Sequence, residues 1–142
     1  MKQKDKDLLL KDLCTRLPYY LKVRVNEKIE TLDVIADDCG YYFNFLNDNE
    51  EGVTIENIKP YLFPLSSMTE EQYESLKESG ILSNCNHIYE YVNPHIYGIS
   101  FIFKKFKTYS LELIEWLNKN HFDYRGLIEK GLAIDATGLN IY

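Results

Sequence analysis

Two prolines in one short stretch, Pro60 and Pro64, fix what the middle of this chain can be. Each proline locks its own φ and withholds a backbone donor, and each pushes the residue before it, here Lys59 and Phe63, toward extended conformations. An ordinary helix cannot run through Ile58–Leu65. The same stretch carries Tyr61, Leu62, Phe63 and Leu65, four large apolar side chains that a solvated connector would not need. It therefore reads as a rigid extended crossing that lays its apolar residues on the core. Just beyond it, Thr69 and Gln72 have the spacing of a capping box, which opens a helix at Glu70. The crossing joins two halves with different hydrophobic periods.

In the first half, Asp7–Leu17 sets Leu9, Leu10, Leu13 and Leu17 at helical spacing, and Pro18 ends that helix. From Leu21 the period is two. Leu21, Val23 and Val25 alternate with Lys22, Arg24 and Asn26; after a turn at Asn26–Lys28 the pattern resumes over Thr31–Ala36; after Asp37–Gly40 it resumes again over Tyr41–Phe45. Short turns between such runs predict a three-strand antiparallel meander. Val53–Ile58 is expected to add a short edge strand. In the second half, the helix from Glu70 stops at Gly80. His87–Val92 and Ile99–Phe103, separated by the turn residues Asn93–Gly98, predict a second antiparallel pair. Ser110 caps a helix whose stripe is Leu113, Ile114 and Leu117 and which Asn120 ends. Asp123 is expected to cap a further short helix, Tyr124–Lys130, and the partly apolar tail Leu132–Tyr142 to dock. The fold class is α+β in a single domain over 1–142: a mostly antiparallel sheet packed with about four helices.

The composition, 45% hydrophobic and 27% charged in 142 residues, is that of a globular domain with a core of its own. No apolar run approaches the roughly 18 residues of a membrane span, and the charged N-terminus lacks the apolar stretch of a secretory signal. The expected location is cytoplasmic, with no membrane partner. Cys14, Cys39 and Cys85 form no Cys-x-x-Cys pair, and with His87, His95 and His121 they show no metal-ligand spacing. Glycine-rich phosphate loops, His-Glu-x-x-His and Gly-x-Ser-x-Gly are absent. No cofactor, metal or catalytic residue is assigned, and the chain reads as a protein that is not an enzyme.

The net charge of −6 is unevenly spread. Residues 1–28 carry eight bases and four acids, whereas 29–58 carry eight acids and no base. An acidic segment of that length argues against nucleic acid on that part of the surface and suits a basic protein partner. Twelve tyrosines are too many to bury with every hydroxyl satisfied, and exposed tyrosine favours binding surfaces. His121-Phe122-Asp123-Tyr124-Arg125 gathers a base, an acid, a phenol and a cation, though a capping role already accounts for Asp123. The lysines around Phe106 read as a guarded strand end rather than a nucleic-acid site.

Three blocks, Asp12–Tyr19, Ile58–Gln72 and Trp116–Ala133, resemble an uncharacterised family of small proteins carried by phages, prophages and mobile elements of gut Bacteroidota. The resemblance implies a small accessory protein acting in the cytoplasm of a bacterial host cell; the family lends no activity to any residue. In that setting the sequence favours action by binding: counter-defence by sequestering a host immune protein or a small nucleotide signal. For a protein target the candidates are Asp37, Asp38, Tyr41 and Tyr42. For a nucleotide they are Lys59, Tyr61, His121 and Arg125. A homo-oligomer sharing one pocket is compatible with either. The competing readings are an enzyme that degrades or modifies such a signal with His121 as general base, and a purely structural interaction protein.

Overall fold

The computed structural model describes residues 1–37, 41–46, 52–84 and 109–142. Among them the chain is α+β, with three helices and a mixed sheet of six strands. It divides into two compact units: Met1–Leu62 with Arg125–Tyr142, and Phe63–Tyr124.

In the first unit, α1 spans Gln3–Arg16 and buries Leu9 and Leu13 together with the charged pair Asp12 and Arg16. It begins four residues before the expected Asp7. Pro18 stops it in a 3-10 turn, Leu17–Tyr19. The expected meander is present as β1 (Lys22–Val25), β2 (Lys28–Asp37) and β3 (Tyr41–Phe45), all antiparallel. Asn26 and Glu27 both hold positive φ, 47° and 66°, which is the tight two-residue hairpin that matches strand twist; β2 can therefore start at Lys28 instead of Thr31. The register shifts at a bulge between Leu32 and Val34.

Val53–Ile58 is not an edge strand. Ile55–Asn57 is a 3-10 turn closed by reciprocal bonds between Thr54 and Asn57. The strand is the proline crossing itself, β4 (Ile58–Pro64), antiparallel to β1 with Val23 opposite Pro60 and Val25 opposite Ile58. A strand with two prolines fits inside a sheet because of alternation. The Tyr61 carbonyl is on the β1 side, so the neighbouring positions Pro60, Leu62 and Pro64 turn their main chain the other way. There the Leu62 carbonyl accepts from Ala136 N at 2.9 Å, and no proline N–H is missed.

The tail docks through β6 (Ile134–Asp135), which pairs parallel with β4. The sheet is thus mixed rather than purely antiparallel. Beyond β6, Tyr142 completes the β1–β4 ladder: its hydroxyl accepts from Lys22 N (3.2 Å) and donates to the Tyr61 carbonyl (2.7 Å), where the next rung after Val23–Pro60 would fall. The core of this unit joins Leu9 and Leu13 to Leu21, Val23, Val25, Leu32, Phe43, Phe45, Ile58 and Leu62, and to Leu127 and Leu132.

In the second unit, α2 (Glu70–Glu78) has the capping box read from the sequence: Gln72 N donates to Thr69 Oγ1 (3.2 Å), and Thr69 N donates to Gln72 Oε1 (2.9 Å). Gly80 follows at φ 76°. The last helix, α3 (Leu111–Lys119), is capped by Ser110, whose hydroxyl accepts from Leu113 N. Leu113 and Leu117 pack with Met68, Tyr73, Leu76, Leu82 and Phe122, and Trp116 stacks on Phe122 with centroids 5.7 Å apart.

Asp123 opens no helix. With Phe122 it forms β5, parallel to Phe63–Pro64 of β4, and residues 124–130 run as bends and turns. The reason lies in Gly126: its φ of 71° breaks any helix there, and Leu127 and Ile128 are too few apolar positions to impose one. About four helices thus become three among the described residues. The expected strand pair over 87–103 and the lysines around Phe106 lie outside them.

Candidate functional site

Residues paired across an antiparallel ladder share a face of the sheet, so the registers sort every side chain of β1, β2, β3 and β4. One face holds Leu21, Val23, Val25, Leu32, Phe43, Phe45, Ile58 and Leu62, and this is the face α1 covers. The opposite face holds Lys22 and Arg24 of β1, Ile29, Thr31, Val34 and Ala36 of β2, Tyr42 and Asn44 of β3, and Lys59 and Tyr61 of β4. Tyr42 is 56% and Ile29 49% exposed, so this face is open along β2 and β3.

Three of these side chains, Lys22, Arg24 and Lys59, are cations; the exposed Asp33, two residues on from Thr31 at the bulge, is an acid on the same side of β2. Arg24 stands directly opposite Lys59, with Lys22 one step along β1. Cβ atoms of such pairs are about 5 Å apart, and like charges directly opposite destabilise a sheet. The relief on hand is small. Arg24 approaches Glu27 at 3.9 Å, where Glu27 is a fully solvated turn residue, and an ion pair of that kind contributes little. The Lys22 ammonium donates to Thr31 Oγ1 at 2.6 Å, which satisfies a donor without neutralising the charge. Lys59 makes no hydrogen bond or ion pair among the described residues.

Of the four sequence candidates for a nucleotide, three lie in the first unit and His121 in the second. Lys59 and Tyr61 share the cationic face, Tyr61 with its ring buried. Arg125 is engaged elsewhere in the same unit: its Nε lies 3.2 Å from Oδ1 of Asp12, whose Oδ2 accepts from Arg16 Nε at 2.7 Å, and Asp12 and Arg16 are fully buried. This triad is an internal charge network. His121 belongs to the other unit, buried at φ 58°, its carbonyl accepting from Phe63 N at 2.9 Å. Of the protein-docking candidates, Tyr42 is exposed on the cationic face. Asp37 and Tyr41 are opposite one another in the β2–β3 register, and Asp38 lies outside the described residues.

Lys22 and Arg24 are the residues sequence reading missed. They looked like the solvated side of a half-buried strand, and only the pairing of β1 with β4 sets Lys59 beside them. Of the described acids in 29–58, Glu30 lies opposite Val23 on the other side of the sheet, Asp33 is exposed, and Glu56 pairs with Lys6 of α1.

A cleft of about 440 Å³ in the first unit is lined by Gln3, Lys6, Asp7, Leu10, Phe43, Thr54, Ile55 and Glu56. Its one cation is spent on Glu56, whose carboxyl the hydrogen bond and charge of Lys6 hold below the usual range. Asp7 adds a further acid, so the cleft repels an anion. Among the described residues no group of three or more His, Cys, Asp or Glu side chains could hold a metal ion, and no helix is long and apolar enough to cross a membrane. Compared with known proteins, the chain matches no family model, no curated protein and no solved structure.

Proposed function

We propose that this protein acts by binding rather than by chemistry: it captures a small phosphate-bearing, nucleotide-like signal on the cationic face of its sheet. The observation that carries this reading is the trio Lys22, Arg24 and Lys59, set side by side on β1 and β4 at a cost in stability. An anion with several phosphate oxygens relieves that repulsion and takes charge-assisted hydrogen bonds from all three. Ile29, Val34 and Tyr42 offer apolar and aromatic surface for a base beside them. Among the described residues the face holds no nucleophile paired with a general base, which favours holding a ligand over turning it over. The setting implied by the three resembling blocks is a phage or mobile-element accessory protein in the host cytoplasm, where sequestering a signal blunts a defence that depends on it.

The test is to incubate the purified protein with a panel of mono-, di- and cyclic oligonucleotides, isolate the complex, and identify the ligand after denaturation. Stoichiometric recovery of an intact ligand, lost in Arg24→Glu, supports capture. Conversion of the ligand, abolished by His121→Ala, would establish the enzymatic reading in its place. Retention of only long single strands would reassign the face to nucleic acid.

A further inference from the structure

The bulge in β2 inserts Asp33: Leu32 is opposite Phe45 and Val34 opposite Asn44, so two residues of β2 face one of β3. Leu32 is in the core, whereas Asp33 and Val34 are both exposed, on the side of the sheet that bears Asn44. An inserted residue of this kind re-aims a side chain, and bulges are frequent beside active sites. Among the described residues Asp33 makes no hydrogen bond or ion pair, so both carboxylate oxygens are open acceptors. Counted from the Asn26–Glu27 turn, the face presents Arg24 with Lys59 opposite, then Lys22 opposite Thr31, then Asp33 two residues beyond Thr31. At about 3.3 Å per residue and 4.8 Å between strands, Asp33 stands roughly 8 Å from Lys22 and roughly 14 Å from Arg24, Cα to Cα. Tyr42, opposite Ala36, is further along on the β3 side. Leu32 N donates to the Leu21 carbonyl, and continuing that register sets Tyr20 level with Asp33 on the β1 side. Tyr20 is 71% exposed, so the acid lies between two exposed tyrosines.

We infer that the ligand of this face is a guanine nucleotide, its phosphates on Lys22, Arg24 and Lys59 and its base on Asp33. The inference rests on the capture of a phosphate-bearing signal and adds to it the identity of the base. An ionised aspartate is acceptor-only, with two oxygens side by side. Among the standard bases, guanine is the one whose Watson–Crick edge sets two donors next to each other, N1–H and the 2-amino group, and so matches both oxygens. Adenine and cytosine place a ring-nitrogen acceptor beside their amino donor, and uracil or thymine holds one N–H between two carbonyls. Each of these turns a lone pair toward the carboxylate. Charge also sets the direction in which the ligand lies. The carboxylate repels phosphate, so the phosphates take the turn end of the face, and an extended nucleoside polyphosphate spans the separation between Asp33 and Arg24. Tyr20 and Tyr42 supply rings on which the base can stack.

The experiment titrates the full chain with guanosine, inosine, adenosine, cytidine and uridine triphosphates by calorimetry at one salt concentration. Guanosine triphosphate is expected to bind about tenfold or more tighter than the adenosine, cytidine and uridine compounds, the discrimination of a bidentate base contact. Inosine triphosphate keeps N1–H and lacks the 2-amino group, so it is expected to fall between. Asp33→Asn exchanges one acceptor for a donor on an exposed residue. It is expected to remove the preference for guanine, to bind the adenosine compound at least as tightly as the parent does, and to hold the thermal midpoint. Arg24→Glu is expected to abolish binding of all five. Equal binding of the five by the parent, a preference for another base, or a guanine preference that survives in Asp33→Asn would overturn the assignment of the base while capture stands. Binding of none of the five would overturn capture and the base assignment together.

Discussion

Replacing Asp12 by alanine tests the internal charge network. Asp12 and Arg16 have no exposed side-chain surface, and the carboxylate serves two guanidiniums, Arg16 at 2.7 Å and Arg125 at 3.2 Å. Arg125 is 14% exposed and can turn toward water, but Arg16 cannot. Asp12→Ala therefore removes the carboxylate that pairs with a fully buried cation, and removing one partner of a buried pair costs about 3–5 kcal/mol. Against a total of roughly 5–15 kcal/mol for a domain of this size, that is about a fifth of the stability or more. It corresponds to a fall of roughly 10–20 °C in thermal midpoint. The assay is urea unfolding followed by far-UV circular dichroism, with Asp12→Leu/Arg16→Met as the companion variant. The companion removes both charges and fills similar volume, so it is expected to lie within about 1–2 kcal/mol of the parent. A cost below about 1 kcal/mol for Asp12→Ala, or a companion as damaged as the single variant, would refute the reasoning.

Four further outcomes follow from named contacts. Lys59→Thr is expected to raise stability by roughly 0.2–1 kcal/mol by removing the like charge opposite Arg24, while weakening anion capture; a destabilised variant in urea titration would contradict the face assignment. Tyr142→Phe leaves Lys22 N–H and the Tyr61 carbonyl without their bridge and is expected to cost about 1–3 kcal/mol by the same assay. Burial pushes the Tyr142 phenol above its ordinary value, outweighing the Lys22 N–H that acts the other way. Its contribution is therefore complete below the unfolded phenol range and lost as pH rises through and beyond it, to be read as an alkaline fall in midpoint that Tyr142→Phe flattens. Gly126→Ala forces a Cβ into a backbone at φ 71° and is expected to destabilise by about 1 kcal/mol or more on thermal melting.

Much of the fold was legible where local chemistry decides it. The Thr69–Gln72 box, the Ser110 cap, Gly80 and the period-two runs from Leu21 to Phe45 specify their structures within a few residues, so sequence reading found them. What it could not see was partnership between distant segments. Ile58–Pro64 read correctly as extended, but alternation alone does not say that β1 lies beside it, and that neighbour turns isolated Lys22, Arg24 and Lys59 into one cluster. Asp123 misled because an acid before Tyr124 has the composition of a cap, whereas pairing with Pro64 and the positive φ at Gly126 override it. Arg125 looked like a free cation for the same reason: its partner Asp12 is on the first helix. Charge summed along 29–58 merged two faces of a sheet that point opposite ways.

The most direct test is an amide-resolved NMR titration of the protein with a nucleoside triphosphate at low and at raised salt. Capture on the cationic face requires the shifts to concentrate at Lys22, Arg24, Ile29, Lys59 and Tyr61, to shrink as salt rises, and to disappear in Arg24→Glu with the rest of the spectrum unchanged. Shifts centred instead on His121 and Phe122, or on the cleft lined by Lys6 and Glu56, would contradict it.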